Sequence, residues 1–418
     1  MEQAQPTLKI VLDRKGRSMK TYTFQDRASF NMAVAWTLGD TTHTDHFYVH
    51  RLNPWRDLFP GSFLEQGLKA LAEGPVSREF CPGELVPAFN PALVKTVSRD
   101  RINTDFQRIV AGRFYPQGMV SGIPGVFRGN MTPYRCLEKD SHRILGDFNH
   151  PLSRFPLRVT LSGLKTGQAK MERGGSCTDW MEMALTGPGM QARDSAYPEL
   201  TAAMGPADVR RADEGPDELF YGQARFVHHI DTHVVQCLTD WYATQVSPDD
   251  RVLDLMAVWT SHLPDGLHPA EVFGLGLNEP ELSANRHLTG FTVQDLNRRP
   301  VLDFPENRFD RVICSLSVEY LTDPLAVFRQ VQRVLAPGGT FSVAFSNRWF
   351  PEKAIALWPD LHEFERLGLV TDFFREAGGF SDLSTVSFRG HPRPADDRYY
   401  PGLRLSDPLF AVTGRKAA

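Results

Sequence analysis

Tyr221, Arg225 and His229, in the stretch FYGQARFVHHID (residues 220–231), have types and spacing that could do chemistry together. They recur at every fourth position, so a helix would present all three on one face. The guanidinium suits a carboxylate, which it can grip through two parallel bonds. The imidazole titrates near neutrality and can accept a proton. His229 and His233 also have the spacing of two metal ligands on a helix, but the stretch has no HExxH pattern and no third ligand. No metal is therefore expected. Glu319, Tyr320 and His262 join His229 as candidates for a general base. Asn347-Arg348-Trp349-Phe350 offers polar and aromatic wall for a small-molecule pocket.

These groups need elements to hold them. From about residue 221 onward, apolar strand-like runs alternate with helical patterns. VLDL (252–255), VFGLGL (272–277), FTVQDL (291–296), RVICSLS (311–317) and TFSVAFS (340–346) read as strands. Asp323–Leu335 reads as a helix stopped by Pro337-Gly338-Gly339, and Gly338 and Gly339 permit a tight reversal. Strands separated by helices imply a parallel sheet covered on both faces, with ligands at the carboxyl ends of its strands. That places Ser315 and Ser317, after the fourth run, and Asn347–Phe350, after the fifth, at one end of the sheet.

Residues 304–348, FPENRFDRVICSLSVEYLTDPLAVFRQVQRVLAPGGTFSVAFSNR, resemble the fourth and fifth strands of class I S-adenosylmethionine-dependent methyltransferases. The resemblance covers roughly 220–415 and implies a Rossmann-like α/β domain with S-adenosylmethionine as cofactor. It gives Asp254, Met256, Trp259, Tyr221 and Arg225 to the cofactor, with Ser315 and Ser317, and sets Asp295 and Leu296 at the adenine. The sequence departs from the family in two places. The first strand leads into MAVWTSH (256–262) where the family has a Gly-x-Gly loop. The second ends at Gly276 where the family has an acidic residue, which leaves Asn278 or Glu279 to hold the ribose.

Residues 59–102 (FPGSFLEQGLKALAEG and the sequence that follows) and 144–161 (ILGDFNHPLSRFPLRVTL) resemble FKBP-type peptidyl-prolyl isomerases of the SlyD kind. Short alternating runs broken by Gly, Pro and Asn agree with a β-rich unit. The resemblance implies an FKBP/SlyD-like α+β domain over 1–162, with an insert at about 104–147. Trp36 and Phe89 stand where the family often has tyrosine, which argues for an accessory scaffold over an active isomerase. Residues 163–220 read as a connector with short helices near Trp180–Leu185 and Pro198–Ala203, and 221–418 as the methyltransferase domain.

The 418 residues carry a net charge of −4 with no long basic block, so a nucleic-acid partner held by charge is not expected. No run approaches the ~18 apolar residues of a membrane span, and no secretory signal opens the chain. Five scattered cysteines without a CxxC pair fit a reducing cytoplasm. The expected partner is a small-molecule methyl acceptor, a thiol, sulfide or amine needing the least machinery. A homodimer, and polypeptide contact through the N-terminal unit, stay open. So do two other functions, a protein methyltransferase and a non-catalytic folding or binding protein.

Overall fold

The computed structural model describes residues 11–12, 18–19, 26–105, 107–169, 172, 174–192 and 204–417. The expected short helix at 198–203 lies outside them. Strands β1 (Val11–Leu12) and β2 (Ser18–Met19) pair with each other. The N-terminal unit then builds β3 (Asp26–Leu38), β4 (Thr41–Leu52), α1 (Pro54–Asp57), α2 (Phe63–Leu71), β5 (Val76–Phe80) and, later, β10 (Leu157–Ala169). Alternation along β3 buries Ala28, Phe30, Met32, Val34 and Trp36 on one face. Leu64, Leu68 and Leu71 of α2 meet that face, and Ser62 caps the helix by accepting from the Glu65 amide.

Between β5 and β10 the chain leaves to make a separate four-stranded sheet: β6 (Val94–Ser98), β7 (Phe114–Pro116), β8 (Pro133–Lys139) and β9 (Arg143–Asp147), in the order β6-β9-β8-β7. Its core is Val97, Ile102, Tyr115, Tyr134, Cys136 and Ile144. The connector holds α3 (Trp180–Leu185), where a short helix is expected, and α4 (Asp217–Phe220).

The C-terminal half follows as α5 (Thr232–Gln245), β11 (Arg251–Leu255), β12 (Glu271–Gly276), α6 (Glu279–Ala284), β13 (Gly290–Val293), β14 (Phe309–Ser315), α7 (Pro324–Val334), β15 (Leu335–Ser346), α8 (Leu357–Asp360), α9 (Glu363–Ala377), β16 (Phe380–Arg389) and β17 (Leu409–Lys416). β13-β12-β11-β14-β15 run parallel, and β17 returns antiparallel between β15 and β16. Two cores cover the faces. Val234, Leu238 and Tyr242 of α5 pack with Val252, Ile313 and Ala344 on one side. Val327, Phe328 and Val331 of α7 and Phe373 and Phe374 of α9 pack with Leu253, Val312 and Val343 on the other. Asp323 caps α7 and Pro324 opens it. This helix ends at Val334, one residue earlier than its pattern predicts, because Leu335 already pairs with Phe309 of β14.

The two halves share one sheet of eleven strands, β13-β12-β11-β14-β15-β17-β16-β4-β3-β10-β5. β16 and β4 join them in parallel, with Ser384 to Arg389 opposite Thr42 to Phe47. Across the joint Arg389 makes an ion pair with the buried Asp45 at 2.9 Å, Ser387 donates to Asp45 at 2.6 Å, and Thr385 bonds His43 at 2.8 Å.

Candidate functional site

At the carboxyl ends of the parallel strands, where the order reverses around β11, lies a cavity of about 300 Å³. Its walls come from the loops after β11, β12, β13, β14 and β15, from residues 217–230, and from Arg398 and Tyr399 between β16 and β17.

The loop after β11 makes its turn without glycine. Met256 itself takes the left-handed conformation, at φ 58°. The close approach is supplied from the neighbouring strand: the Ala257 amide donates to the Leu275 carbonyl at 2.8 Å, and a Cβ at Gly276 would collide with the Ala257 carbonyl oxygen. The Asn285 side chain donates to the Val258 carbonyl and to Ser261 Oγ. Ser261 in turn bonds Asp254, a buried carboxyl whose pKa burial pushes up to about 7. Asp254 therefore braces the loop from behind and is not on the cavity wall.

The helix expected over 220–231 does not form. α4 ends at Phe220, and the carbonyls of Tyr221 and Gly222 turn to accept from Asn278 Nδ2 at 2.7 and 3.2 Å. Gly222 also lies so close to the Glu218 carbonyl that a Cβ would stand 2.6 Å from it. Asp231 then caps α5. His229 thus precedes the helix that carries His233, and the two do not share a helical face. Tyr221, Arg225 and His229 still meet, as parts of an irregular strap. The Arg225 guanidinium lies over the Phe220 and Phe350 rings at 4.9 and 5.3 Å, and its amide donates to Glu281 at 2.7 Å. The His229 ring meets Phe350 edge-on at 5.0 Å. Its pKa is lowered by desolvation first, then by Arg225 and Arg398.

Of the residues expected at the cofactor, Tyr221, Arg225, Met256, Trp259, Asn278, Asp295, Leu296, Ser315 and Ser317 line the cavity, and Asp254 and Glu279 do not. Asn278 has its amide committed to the strap and its oxygen to the Glu281 amide, as the cap of α6. The carboxylates on the wall are Asp217, Glu281 and Asp295. Ser315 is bonded to Tyr242 at 2.7 Å. Of the residues expected at the substrate, Arg348, Trp349 and Phe350 line the cavity, whereas Asn347 is exposed outside it.

Among the expected bases, His229 and His262 reach the wall, and burial lowers the His262 pKa to about 3. Tyr320 reaches it with its hydroxyl already accepting from the Phe350 amide, and burial raises its pKa well above the usual value. Glu319 is fully buried behind the wall with neither carboxylate oxygen bonded, and burial pushes its pKa up to about 8.

Asp217, Asn297, Arg398 and Tyr399 are wall residues with no signal in the sequence. Asp217 ties the site together. It takes Arg211 and Lys353 at 2.8 and 3.0 Å and accepts from Asn297, whose amide also reaches the Tyr320 carbonyl.

Residues 258–343 match the methyltransferase-domain family. The chain is also similar to the ubiquinone/menaquinone biosynthesis C-methyltransferase UbiE of Xanthomonas oryzae pv. oryzae, at 33% identity over 165 residues, which are 35% of this chain and 62% of that protein. The counterpart from Xanthomonas axonopodis pv. citri is 34% identical over 167 residues, again 62% of its length. The C-terminal half carries a class I S-adenosylmethionine-dependent methyltransferase domain. The chain spans about three fifths of the length of these curated relatives. Solved structures similar to it include an S-adenosylmethionine-dependent methyltransferase from Mesorhizobium loti, with 20% identity and a TM-score of 0.29 over 44% of this chain and all of that one. Another, from Archaeoglobus fulgidus, has 12% identity and a TM-score of 0.33 over 44% of this chain and 94% of that one.

The cofactor of such a domain is S-adenosylmethionine, and the wall fits it. Tyr221 Oη, His262 Nδ1 and Arg348 Nη2 are buried polar atoms of wall residues without a partner among the described residues. Carboxylates stand on the wall after β12 and β13, as Glu281 and Asp295. No helix among the described residues is long and apolar enough to cross a membrane.

Proposed function

We propose that this chain transfers a methyl group from S-adenosylmethionine to a small-molecule acceptor. The observation that carries the reading is an aromatic-walled cavity at the strand-order reversal of a methyltransferase domain, with a wall tyrosine whose buried hydroxyl is unbonded. Bound there, the cofactor supplies an electrophilic methyl group on a sulfonium, open to in-line displacement by the acceptor's nucleophile. Arg225 and Tyr221 hold its carboxylate end, the 256–260 loop packs against its methionine portion, and Asp295 with Leu296 meets the adenine. In this cavity the carboxylate open to the ribose is Glu281, in place of Asn278 or Glu279. His229, neutral between two guanidiniums, accepts the acceptor's proton. A thiol or amine requires the least of it, since a thiol is partly ionised at neutral pH. The likeness to C-methyltransferases supports a second reading, methylation at carbon.

The N-terminal unit is proposed as an FKBP/SlyD-like accessory domain over 1–162. A hairpin, a helix laid across it and an inserted second sheet between β5 and β10 support that reading. Its role is to brace the methyltransferase sheet, and polypeptide contact is a further proposal for its outer face.

Calorimetry on the full chain with S-adenosylhomocysteine tests the main reading. Micromolar binding is expected. No heat and no thermal shift at millimolar ligand would remove it.

A further inference from the structure

We infer that the methyl acceptor is an aromatic carboxylate, held by Arg348 and Arg398 near Tyr399. This rests on the methyltransferase reading above and names the substrate class of the same cavity.

The charges on the wall are sorted by position. Its carboxylates are Asp217, Glu281 and Asp295, of which Glu281 and Asp295 follow β12 and β13. The part built by the loop after β15 and by the β16–β17 connection carries Arg348 and Arg398 and no wall carboxylate. Arg348 gives its Nε to Asp407 at 3.0 Å, while its Nη2 is buried and has no partner among the described residues. An orphaned guanidinium nitrogen beside a cavity is a place where an acceptor atom is missing. Arg398 is exposed at the mouth, donates to the Tyr399 hydroxyl at 2.7 Å, and makes no ion pair among the described residues. Both guanidiniums lie over the Tyr399 ring, at 4.2 and 4.6 Å. The two cations therefore share one aromatic side chain.

Asp407 pairs with Arg348 through Nε alone and leaves its Nη2 unanswered. Asp231 and Asp407 are buried off the wall, where Arg393 lies 3.4 and 2.6 Å from them and Ser406 and the Asp407 amide donate to Asp231. The same buried Arg393 fixes the 390–408 connection that delivers Arg398 and Tyr399. Arg225 also lines the cavity without an ion pair among the described residues, but the proposed reading gives it to the cofactor's own carboxylate. What remains is a guanidinium with an unbonded nitrogen and a second guanidinium over the same ring, the charge that a carboxylate would answer. Trp349, Phe350 and Tyr399 are flat apolar wall on the same side, which suits an aromatic ring carrying that carboxylate.

The test is a titration of the full chain with 3-mercaptobenzoate and its neutral amide, 3-mercaptobenzamide, with and without saturating S-adenosylhomocysteine. The acid is expected to bind at least tenfold more tightly than the amide. Arg398→Gln and Arg348→Gln should each shrink that preference several-fold, and Arg398→Gln, at an exposed position, should keep the parent Tm. Equal affinity for acid and amide, no detectable binding of either, or an acid preference unchanged in both variants overturns the inference. Failure of S-adenosylhomocysteine to bind strikes the methyltransferase reading instead, and the titration without it still decides whether the site selects a carboxylate.

Discussion

The phenol of Tyr221 is the most informative single group in the cavity. A buried hydroxyl without a partner destabilises the free protein by about 1–3 kcal/mol and is expected to be answered by a ligand. Tyr221→Phe should leave the unliganded Tm unchanged or raised, and should weaken S-adenosylhomocysteine about tenfold by calorimetry. A variant that binds as tightly as the parent would take Tyr221 out of the cofactor site. Glu319 makes a separate prediction through pH. Its folded pKa, about 8, lies above the ordinary carboxyl value of ~4.3, so the stabilising form is the neutral one. Its contribution is complete below about pH 4, falls as pH rises, and is gone above about pH 8. Glu319→Gln should flatten that fall and raise Tm at pH 8 by several degrees, with little change at pH 4. Thermal melts across that range read it directly. Neither property is visible in a sequence. Glu319 reads as a base candidate because it follows a strand at the binding end of the sheet, yet the turn at Val318–Tyr320 points it into the protein. Burial of one side chain depends on tertiary neighbours such as Arg366 of α9, which local pattern does not encode.

At the scale of elements, the loop after β11 depends on a glycine that is not in it. Gly276 gives Ala257 the room that the loop's own residues do not. Gly276→Ala should push the loop away from β12, lower Tm by several degrees and weaken S-adenosylhomocysteine binding by tenfold or more. Differential scanning fluorimetry with and without ligand measures both, and an unaffected variant would show that the loop does not need that contact. The same region marks where the sequence is legible. Runs such as VLDL and RVICSLS declare themselves because strands buried on both faces are continuously apolar. Asp323-Pro324 declares its helix because caps are local chemistry, whereas α5, which Asp231 caps, is not among the expected elements. The strap at 221–231 does not, because its spacing satisfies a helix while Asn278, more than fifty residues away, holds its carbonyls instead. Tertiary hydrogen bonds override local periodicity there, and the three side chains meet in the cavity by a different route. Arg398 and Tyr399 were illegible for a related reason: their connection is placed by a buried arginine network rather than by an element.

For the whole molecule, composition divides the chain into parts, whereas hydrogen bonding joins its two halves in one eleven-stranded sheet. The parallel register of β4 on β16 joins segments whose kinship no local pattern carries. Removing one partner of a buried ion pair costs about 3–5 kcal/mol. Asp45→Ala, which strands Arg389, should therefore lower the unfolding temperature of the methyltransferase half along with that of the N-terminal unit. Calorimetry should show one shifted transition; a shift confined to one of two transitions would mean the halves unfold independently. The joint has a further consequence during synthesis. Thr385 bonds His43 across 342 residues of chain. At roughly 5–20 residues per second, β4 emerges from the ribosome tens of seconds before the strand that covers its edge. Throughout that interval an unpaired strand edge faces the cell, open to other chains. The order of translation thus leaves β4 an edge strand until β16 has been made.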